Sequence, residues 1–216
     1  MLEVLKTVLP SPEQWQIIIE GMRNPMNSWE RSDSYKTHIE NPETGNTADF
    51  QFFLGDADHA LMLSLANGGP VHGKYLRMIP VWLTINAPLY WWKEFDTYKV
   101  GTVCNSCSTM HKMHSRPLTM RDFSTEWLEP ESRDVFQCVV QSLNTLREFY
   151  CDAGNKGDWY QMIQLLPSSY NQRRTVMLNY GVLRNIYHSR KNHKLTEWHT
   201  FCDWIRQLPY SDLITG

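Results

Sequence analysis

The spacing of hydrophobic residues in the first half of the chain predicts short strands and helices in alternation. A strand is predicted over residues 2–9, and the helix after it begins at Ser11-Pro12-Glu13-Gln14, which has the layout of a capping box. Residues Leu76–Asn86 alternate as a strand does, and Pro80 restricts them to an edge or a bulge. Residues 24–49 are polar with few apolar anchors and are predicted to form a long loop or a flap bordering a site. Two further helices are predicted, Asp56–Asn67 and Ala87–Lys99.

The second half is organised around the stretch Leu166–Arg190. Its opening, Leu166-Pro167-Ser168-Ser169, is a helix-entry signal, so one helix is predicted from there to Arg190. The residues at spacings of four, three and four are Asn179, Leu183, Ile186 and Arg190, which form one stripe of such a helix. Asn179 and Arg190 are therefore expected on one face, about 16 Å apart at roughly 1.5 Å per residue. That distance suits a two-part ligand, although periodicity alone favours an ordinary core helix with polar ends.

Three other helices complete the prediction. The first runs from Pro130 to about Tyr150, and its inward residues are Val135, Val139, Leu143, Leu146 and Tyr150. A short helix begins at Asp158, and the last helix covers about 196–207 with Trp198, Phe201, Cys202 and Ile205 packed inside. Without repeats or linkers, the pattern indicates one α+β domain over residues 1–216, with helix in excess.

Composition excludes some function classes. The 216 residues are 42% hydrophobic and 20% charged, as in an ordinary soluble protein, and the net charge of −2 argues against a nucleic-acid scaffold held by bulk electrostatics. No apolar run approaches the roughly 20 residues needed to cross a bilayer, so no membrane contact is expected. Five irregularly spaced cysteines and the absence of a signal-peptide layout indicate a reducing, cytoplasmic location.

One cluster has the residue types of a zinc site. Its members are Cys104, Cys107, His111 and His114. Structural zinc sites usually separate two ligand pairs by a dozen or more residues, whereas these four fall within eleven, so no metal site is expected. Three histidines after the central stretch, His188, His193 and His199, are candidates for proton transfer, but a solvated helix end explains them better.

Two blocks of the sequence carry a resemblance to a known family. The first runs from Ala87-Pro88 through Thr97-Tyr98-Lys99 to Asn105 and Ser108-Thr109-Met110-His111, allowing one inserted residue. The second matches without a gap: Leu166-Pro167, an asparagine twelve residues after the proline (Asn179), and an arginine eleven residues later (Arg190). With these blocks, over roughly residues 54–206, the chain resembles the flavin-dependent thymidylate synthases. Smaller matches are Leu183, Asn185 and, in Pro70-Val71-His72, the family's Gly-His.

The resemblance implies a fold and an activity. The fold is a central, mostly antiparallel sheet flanked by helices, assembled as a homotetramer with shared active sites. The implied reaction is a one-carbon transfer to C5 of a pyrimidine deoxynucleotide, by default dUMP to dTMP. FAD is the implied cofactor, with NADPH and methylenetetrahydrofolate as co-substrates. No nucleophilic cysteine is required.

The resemblance also implies residue roles. Arg190 and Ser108 are expected to act at the nucleotide, with Arg190 holding the pyrimidine ring. The residues expected on the flavin side are Asn179, Asn185, Lys99, Tyr98, Thr97, Asn105 and His72. Arg173 and Glu94 are expected to bind substrate. Trp91 and Trp92 could stack on a flat ring, but a buried helix would use them equally well.

The chain departs from the family where phosphates are bound. The family's Arg-His-Arg is Thr97-Tyr98-Lys99 here, Met110 replaces the arginine of Ser-x-Arg-Tyr, and Ile163 replaces another arginine. Each charge-assisted phosphate contact is worth about 1.5–3 kcal/mol, so a different cation must compensate. The candidates are Lys99, Lys112, Arg173 and Arg174, and Arg173 is favoured because the family often has arginine there.

Other functions stay open. Glu94 stands where the family has glutamine, and a carboxylate accepts from a cytosine amino group, so a C5 methylase or hydroxymethylase of another pyrimidine nucleotide is one alternative. A nucleotide-binding protein without flavin or catalysis is a second. An unrelated helical interaction protein is a third, and it requires the Leu166–Arg190 match to be chance.

Overall fold

The chain folds into strands and helices in a computed structural model that describes residues 1–40 and 47–216. The strands are β1 (Glu3–Val8), β2 (Tyr35–Glu40), β3 (Thr47–Phe53), β4 (Pro80–Pro88), β5 (Val103–Ser106) and β6 (Asn171–Asn179). The helices of the described residues are α1 (Pro12–Arg23), α2 (Asp56–Asn67), α3 (Leu89–Phe95), α4 (Pro130–Ala153), α5 (Lys156–Leu165), α6 (Tyr180–Arg190), α7 (Thr196–Arg206) and α8 (Asp212–Thr215). Short 3₁₀ turns include Asn24–Met26, Trp29–Arg31 and Gly73–Met78.

Four strands form the central sheet in the order β1-β4-β6-β5. The sheet is antiparallel and flanked by helices, which confirms the predicted α+β class. In β4, one of the two inner strands, Val81, Leu83 and Ile85 are all fully buried. Strands β2 and β3 form a separate antiparallel hairpin, where the paired rings of Tyr35 and Phe53 stack with centroids 5.3 Å apart.

Several predicted elements are confirmed. The Ser11 hydroxyl accepts from the Gln14 N–H, and the Gln14 side chain accepts from the Ser11 N–H at 2.8 Å, so the capping box that begins α1 is formed. The final helix α7 buries the four predicted residues, Trp198, Phe201, Cys202 and Ile205. Helix α2 ends at Asn67 as predicted, but Asp56, which was expected to cap the helix, is its first residue, and Gly55 occupies the N-cap.

Other predictions are wrong. Within the predicted loop 24–49 the structure has two 3₁₀ turns and β-strand, and residues 41–46 lie outside the described part. Pro80 does not make its strand an edge, because as the first residue of β4 it removes no hydrogen bond from the strand interior. Helix α3 ends at Phe95, short of Lys99, since the N–H and the hydroxyl of Thr97 both donate to the Glu94 carbonyl. Val135 of α4 is 66% exposed and does not point inward.

The chain divides into two compact units, each built from several segments. The first unit contains Met1–Leu5, Thr84–Thr97 and Cys104–Thr175, and the second contains Lys6–Leu83, Tyr98–Val103 and Val176–Gly216. Each strand of the central sheet contributes residues to both units.

The core of the first unit lies under α4 and α5. Its buried residues are Met113, Leu118, Phe123, Val140, Leu143 and Met162. Trp91 and Trp92 of α3 are also fully buried, with the Trp92 indole N–H donating to the Gln172 carbonyl at 2.8 Å. Both indoles therefore serve the core, and the structure does not support the alternative in which they stack on a ligand.

The second unit contains a buried ion pair. Arg23 is 4% exposed and Asp58 is fully buried, and Nε of Arg23 lies 2.5 Å from a carboxylate oxygen of Asp58. The other oxygen of Asp58 accepts from the hydroxyls of Ser32 and Ser34. Burial alone would raise the pKa of Asp58, but hydrogen bonds from Ser34, Ser32 and Arg23 outweigh it and lower the pKa. This carboxylate therefore stabilises the fold above a pH of about 4, and its contribution is lost as the pH falls through the lowered folded-state pKa.

We expect Asp58→Ala to lower the free energy of unfolding by about 3–5 kcal/mol, because it leaves the Arg23 guanidinium buried without its counter-charge. Urea denaturation followed by circular dichroism measures this change. Glu20→Ala, an exposed position on the same helix as Arg23, is the matched control and should change the stability by less than about 0.5 kcal/mol. Equal losses in the two variants would contradict a structural role for the ion pair.

Candidate functional site

The candidate site begins where β6 ends and α6 starts. The predicted single helix from Leu166-Pro167 to Arg190 is wrong in its first half, because Asn171–Asn179 is a strand and the helix covers only Tyr180–Arg190. Gln172, Val176 and Leu178 are buried at even spacing, which is the period-two pattern of a strand. The match to a helical stripe at Asn179 is therefore coincidental.

Asn179 caps the helix instead of lying along it. Its side-chain oxygen accepts from the Val182 N–H at 3.0 Å, which satisfies one of the N–H groups left open in a first helical turn. Arg190 is the last residue of the same helix. Asn179 and Arg190 are eleven residues apart, which corresponds to about 16 Å along a helix.

Two glycines leave room around Asn179, which is only 9% exposed. Gly101 has φ +77°, a conformation that favours glycine, and a Cβ there would lie 3.2 Å from the Asn179 amide nitrogen. A Cβ on Gly181 would lie 3.2 Å from the Asn179 amide oxygen. Among the residues that the structure describes, the amide nitrogen has no hydrogen-bond acceptor. Asn179 therefore lies in a confined space beside two glycines, and neither N–H of its amide group has an acceptor among the described residues.

Aromatic rings hold Arg190 in place. Its Nε donates to the Tyr98 hydroxyl at 2.8 Å, and the guanidinium lies 4.8 Å from the centroid of the Trp198 ring and 5.6 Å from that of Tyr98. A hydrogen bond and a cation–π contact together fix the plane of the guanidinium. Sequence reasoning assigned Trp198 only to the core, and missed this contact because it joins helices α6 and α7.

Thr97, Tyr98 and Lys99, which stand in place of the family's Arg-His-Arg, have three different surroundings. Thr97 is exposed, and at the end of α3 its hydroxyl donates to the Glu94 carbonyl at 2.7 Å. Tyr98 is half-buried against Arg190, whereas Lys99 is exposed. Of this motif, only Lys99 offers a positive charge to a phosphate.

The remaining flavin-side candidates of the second unit are exposed. Asn185 lies on the exposed face of α6, and His72 precedes the Gly73–Met78 turn with its N–H donating to the Gly69 carbonyl at 3.1 Å. Neither contacts Asn179 or Arg190 through a hydrogen bond within the described ranges. Arg190 and Tyr98 are thus predicted site residues whose side chains hydrogen-bond to each other.

The other predicted site residues belong to the first unit. Asn105 of β5 and Ser108 are exposed, and the Ser108 hydroxyl accepts from the His111 N–H at 3.0 Å. Arg173 is exposed, with its carbonyl accepting from the Cys107 N–H at 2.9 Å. Glu94 is half-buried in α3.

Arg174 is already engaged inside the first unit. One of its Nη groups lies 2.8 Å from the Asp96 carboxylate, its Nε donates to the Gln172 side chain, and its guanidinium lies 4.5 Å over the Trp92 ring. Of the two neighbouring arginines, Arg173 is therefore the one with its side chain on the surface.

Within residues 1–40 and 47–216, no three His, Cys, Asp or Glu side chains are grouped so as to hold a metal ion. Burial raises the pKa of the Cys104 thiol, although a nearby Arg174 opposes the shift. The pKa of His188 is lowered, first by burial and then by the positive charges of Arg184 and Lys191.

Helices long and apolar enough to cross a bilayer are absent from the described ranges. No sequence family matches the chain, and no curated protein matches it in sequence.

Solved structures nevertheless match the chain along its whole length. A flavin-dependent thymidylate synthase from Helicobacter pylori, complexed with FAD and dUMP, superposes with a TM-score of 0.66 at 16% identity, covering 99% of this chain and 97% of that one. A second structure of the thymidylate synthase ThyX from that organism, with FAD and dUMP, gives 0.65 at 16% identity, covering 99% and 95%. A UMP/dUMP methylase from Streptomyces cacaoi, bound with 5-Br dUMP, gives 0.57 at 10% identity, covering 100% and 94%. The chain therefore has the fold of the flavin-dependent thymidylate synthases, as the sequence blocks predicted.

Proposed function

We propose that the protein transfers a one-carbon unit to C5 of a pyrimidine deoxynucleotide, by default converting dUMP to dTMP. In that reaction methylenetetrahydrofolate supplies the carbon, and NADPH supplies the two electrons that reduce it from the methylene to the methyl level. One proton is taken up, and tetrahydrofolate and NADP⁺ are released. The observation that carries the proposal is the full-length match of fold to three solved structures of two proteins, which contain dUMP or its bromo derivative.

Arg190 is the residue we assign to the pyrimidine ring. A guanidinium is a permanent cation with a planar set of donors, so it can polarise a uracil carbonyl and make C6 more electrophilic. Tyr98 and Trp198 hold that plane before substrate arrives, which reduces the cost of ordering it on binding. Ser108 and Arg173, whose side chains are both exposed, are proposed to contact the nucleotide.

The residues around Asn179 fit a flavin. The unused amide donor and the space left by Gly101 and Gly181 suit the edge of a flat heterocycle that approaches the backbone closely. Asn185, Lys99, Asn105 and His72 are proposed to complete this side of the site. Bound FAD, once reduced by NADPH, would supply the hydride that reduces the one-carbon unit. The chain's own residues would orient the ring and neutralise its phosphates.

A homotetramer with shared active sites is part of the proposal. It is supported by the exposure of the candidate residues Ser108, Asn105 and Arg173, which leaves their side chains accessible to a second copy.

Two observations keep alternatives in view. The half-buried Glu94 carboxylate supports, as an alternative, a C5 methylase or hydroxymethylase that acts on a cytosine nucleotide, because a carboxylate can accept from the exocyclic amine of cytosine. The Thr97 hydroxyl, which closes α3 where the family binds phosphate, favours a nucleotide-binding protein without flavin. A bound flavin would make the protein yellow, and the nucleotide product would identify the base, so these two measurements distinguish the alternatives.

The proposal predicts that the purified protein is yellow, with the absorption bands of an oxidised flavin, and that heat denaturation releases FAD. NADPH oxidation should depend on added pyrimidine nucleotide. Comparing dUMP, UMP and dCMP, with methylenetetrahydrofolate present, identifies the base. Colourless protein that binds dUMP but cannot be loaded with FAD would replace the enzyme by the nucleotide-binding alternative.

Arg190→Ala should weaken dUMP binding at least 100-fold, since it removes a charge-assisted donor pair from a partly buried position. Isothermal titration with dUMP measures the affinity, and circular dichroism verifies that the fold is intact. Lys191→Ala removes the neighbouring exposed cation and should leave the affinity unchanged. An unaltered dUMP affinity in Arg190→Ala would show that Arg190 does not hold the pyrimidine ring.

Tyr98→Phe should weaken dUMP binding by about tenfold, because the guanidinium loses the acceptor that orients it while keeping its ring contacts. A double-mutant cycle separates positioning from a general effect on stability. In the Arg190→Ala background, Tyr98→Phe should have no further effect on affinity. Additive losses in the cycle would show that Tyr98 acts independently of Arg190.

A further inference from the structure

The second unit contains a cavity of about 550 Å³ beside α1. One wall is a face of α1 that includes Glu20 and Arg23, and the other walls include Trp29, Ser34 and Phe52. Small-molecule sites in proteins typically have volumes of about 300–1,000 Å³, so the cavity is large enough for an organic ligand. None of its lining residues is assigned above to the nucleotide or the flavin.

Hydrogen bonds fix the wall that carries Trp29. The two Nη groups of Arg23 donate to the carbonyls of Ser28 and Arg31, at 3.2 and 3.0 Å. The indole N–H of Trp29 donates to the Asn24 side chain at 2.8 Å. The turn after α1 is therefore tied to the end of the helix on both sides of Trp29. A wall that is already ordered reduces the cost of binding a ligand against it.

The cavity has a flat, apolar part. Phe52 is stacked on Trp15 with ring centroids 5.7 Å apart and planes 11° apart, so the plane of its ring is fixed. Trp29 is 47% exposed although its indole is held by a hydrogen bond. Ile19, which is buried, adds aliphatic surface to the same lining. Two fixed aromatic rings and an aliphatic side chain suit a planar apolar group.

The charges of the lining favour a cation. The Arg23 guanidinium is neutralised by the buried Asp58 carboxylate, so it offers little attraction to an anion. Glu13, two turns before Glu20 on α1, is paired with Lys36. Glu20 is exposed, and its carboxylate has neither an ion-pair nor a hydrogen-bond partner among the residues that the structure describes. An uncompensated carboxylate and the face of an indole ring both attract positive charge.

We propose that this cavity binds a small organic cation with a flat apolar body. Its positive charge pairs with Glu20, and its planar part packs against Trp29 and Phe52. The buried pair of Arg23 and Asp58 thereby has a second role, because it holds the turn that forms one wall. This inference does not depend on the proposed function.

Three probes of one shape and different charge test the proposal. Benzamidine is a planar cation, benzamide is its neutral counterpart and benzoate is the anion. Saturation-transfer NMR titrations give their affinities for wild type, Glu20→Gln and Trp29→Ala. Glu13→Gln removes the same charge from the same helix outside the cavity and is the matched control. Circular dichroism verifies that each variant folds.

Wild-type protein is expected to bind benzamidine about tenfold more tightly than benzamide, and benzoate more weakly than either. Glu20→Gln should lower the affinity for benzamidine to that for benzamide and leave benzamide unchanged. Trp29→Ala should weaken both by a similar factor, about fivefold or more, since it removes a ring that each probe contacts. Glu13→Gln should behave as wild type.

Three results would overturn the inference. The first is wild-type protein that does not bind benzamidine, and the second is equal or tighter binding of benzamide or benzoate. The third is a preference for benzamidine that Glu20→Gln leaves intact or that Glu13→Gln removes equally, because the cation would then be bound outside this cavity or attracted only by the overall charge of α1.

Discussion

The hydrogen bond from the Val182 N–H to the Asn179 side chain fixes the point at which β6 stops and α6 begins. Because a helix advances by a constant rise, that point also determines where Arg190 lies, three turns further on. One short polar contact thus sets the position of both predicted functional groups. Asn179 is buried beside two glycines, whereas Arg190 is held between Tyr98 and Trp198, so the two ends of α6 have different surroundings.

Sequence patterns predicted elements well where a local signal sufficed. The Ser11 capping box and the apolar stripe of α7 each carry their information within about one or two turns, and both are confirmed. The predicted helix over residues 166–190 is wrong in its first half, where the chain forms β6. The polar run Gln-Arg-Arg-Thr in this strand lacks the apolar alternation of a typical strand, and its pairing with two neighbouring strands is not visible in the local sequence. Asn179 was therefore predicted inside a helix, whereas it ends β6 and caps α6. Only its separation of eleven residues from Arg190 is independent of what precedes it.

The contacts within the site were harder to predict than its residues. Nothing in the local sequence indicates that Tyr98 and Trp198 meet Arg190 from two separate segments, or that Arg174 is engaged by Asp96 while Arg173 stays exposed.

The central claim is that the two ends of α6 serve one bound pair of ligands, a pyrimidine nucleotide and a flavin. A crystal structure of the protein grown with FAD and dUMP tests it most directly. The account predicts an Arg190 guanidinium nitrogen within hydrogen-bond distance of a uracil carbonyl, and the Asn179 amide nitrogen at the flavin. Density for the nucleotide at a place that Arg190 does not reach, or Asn179 facing only solvent in the assembled protein, would contradict it.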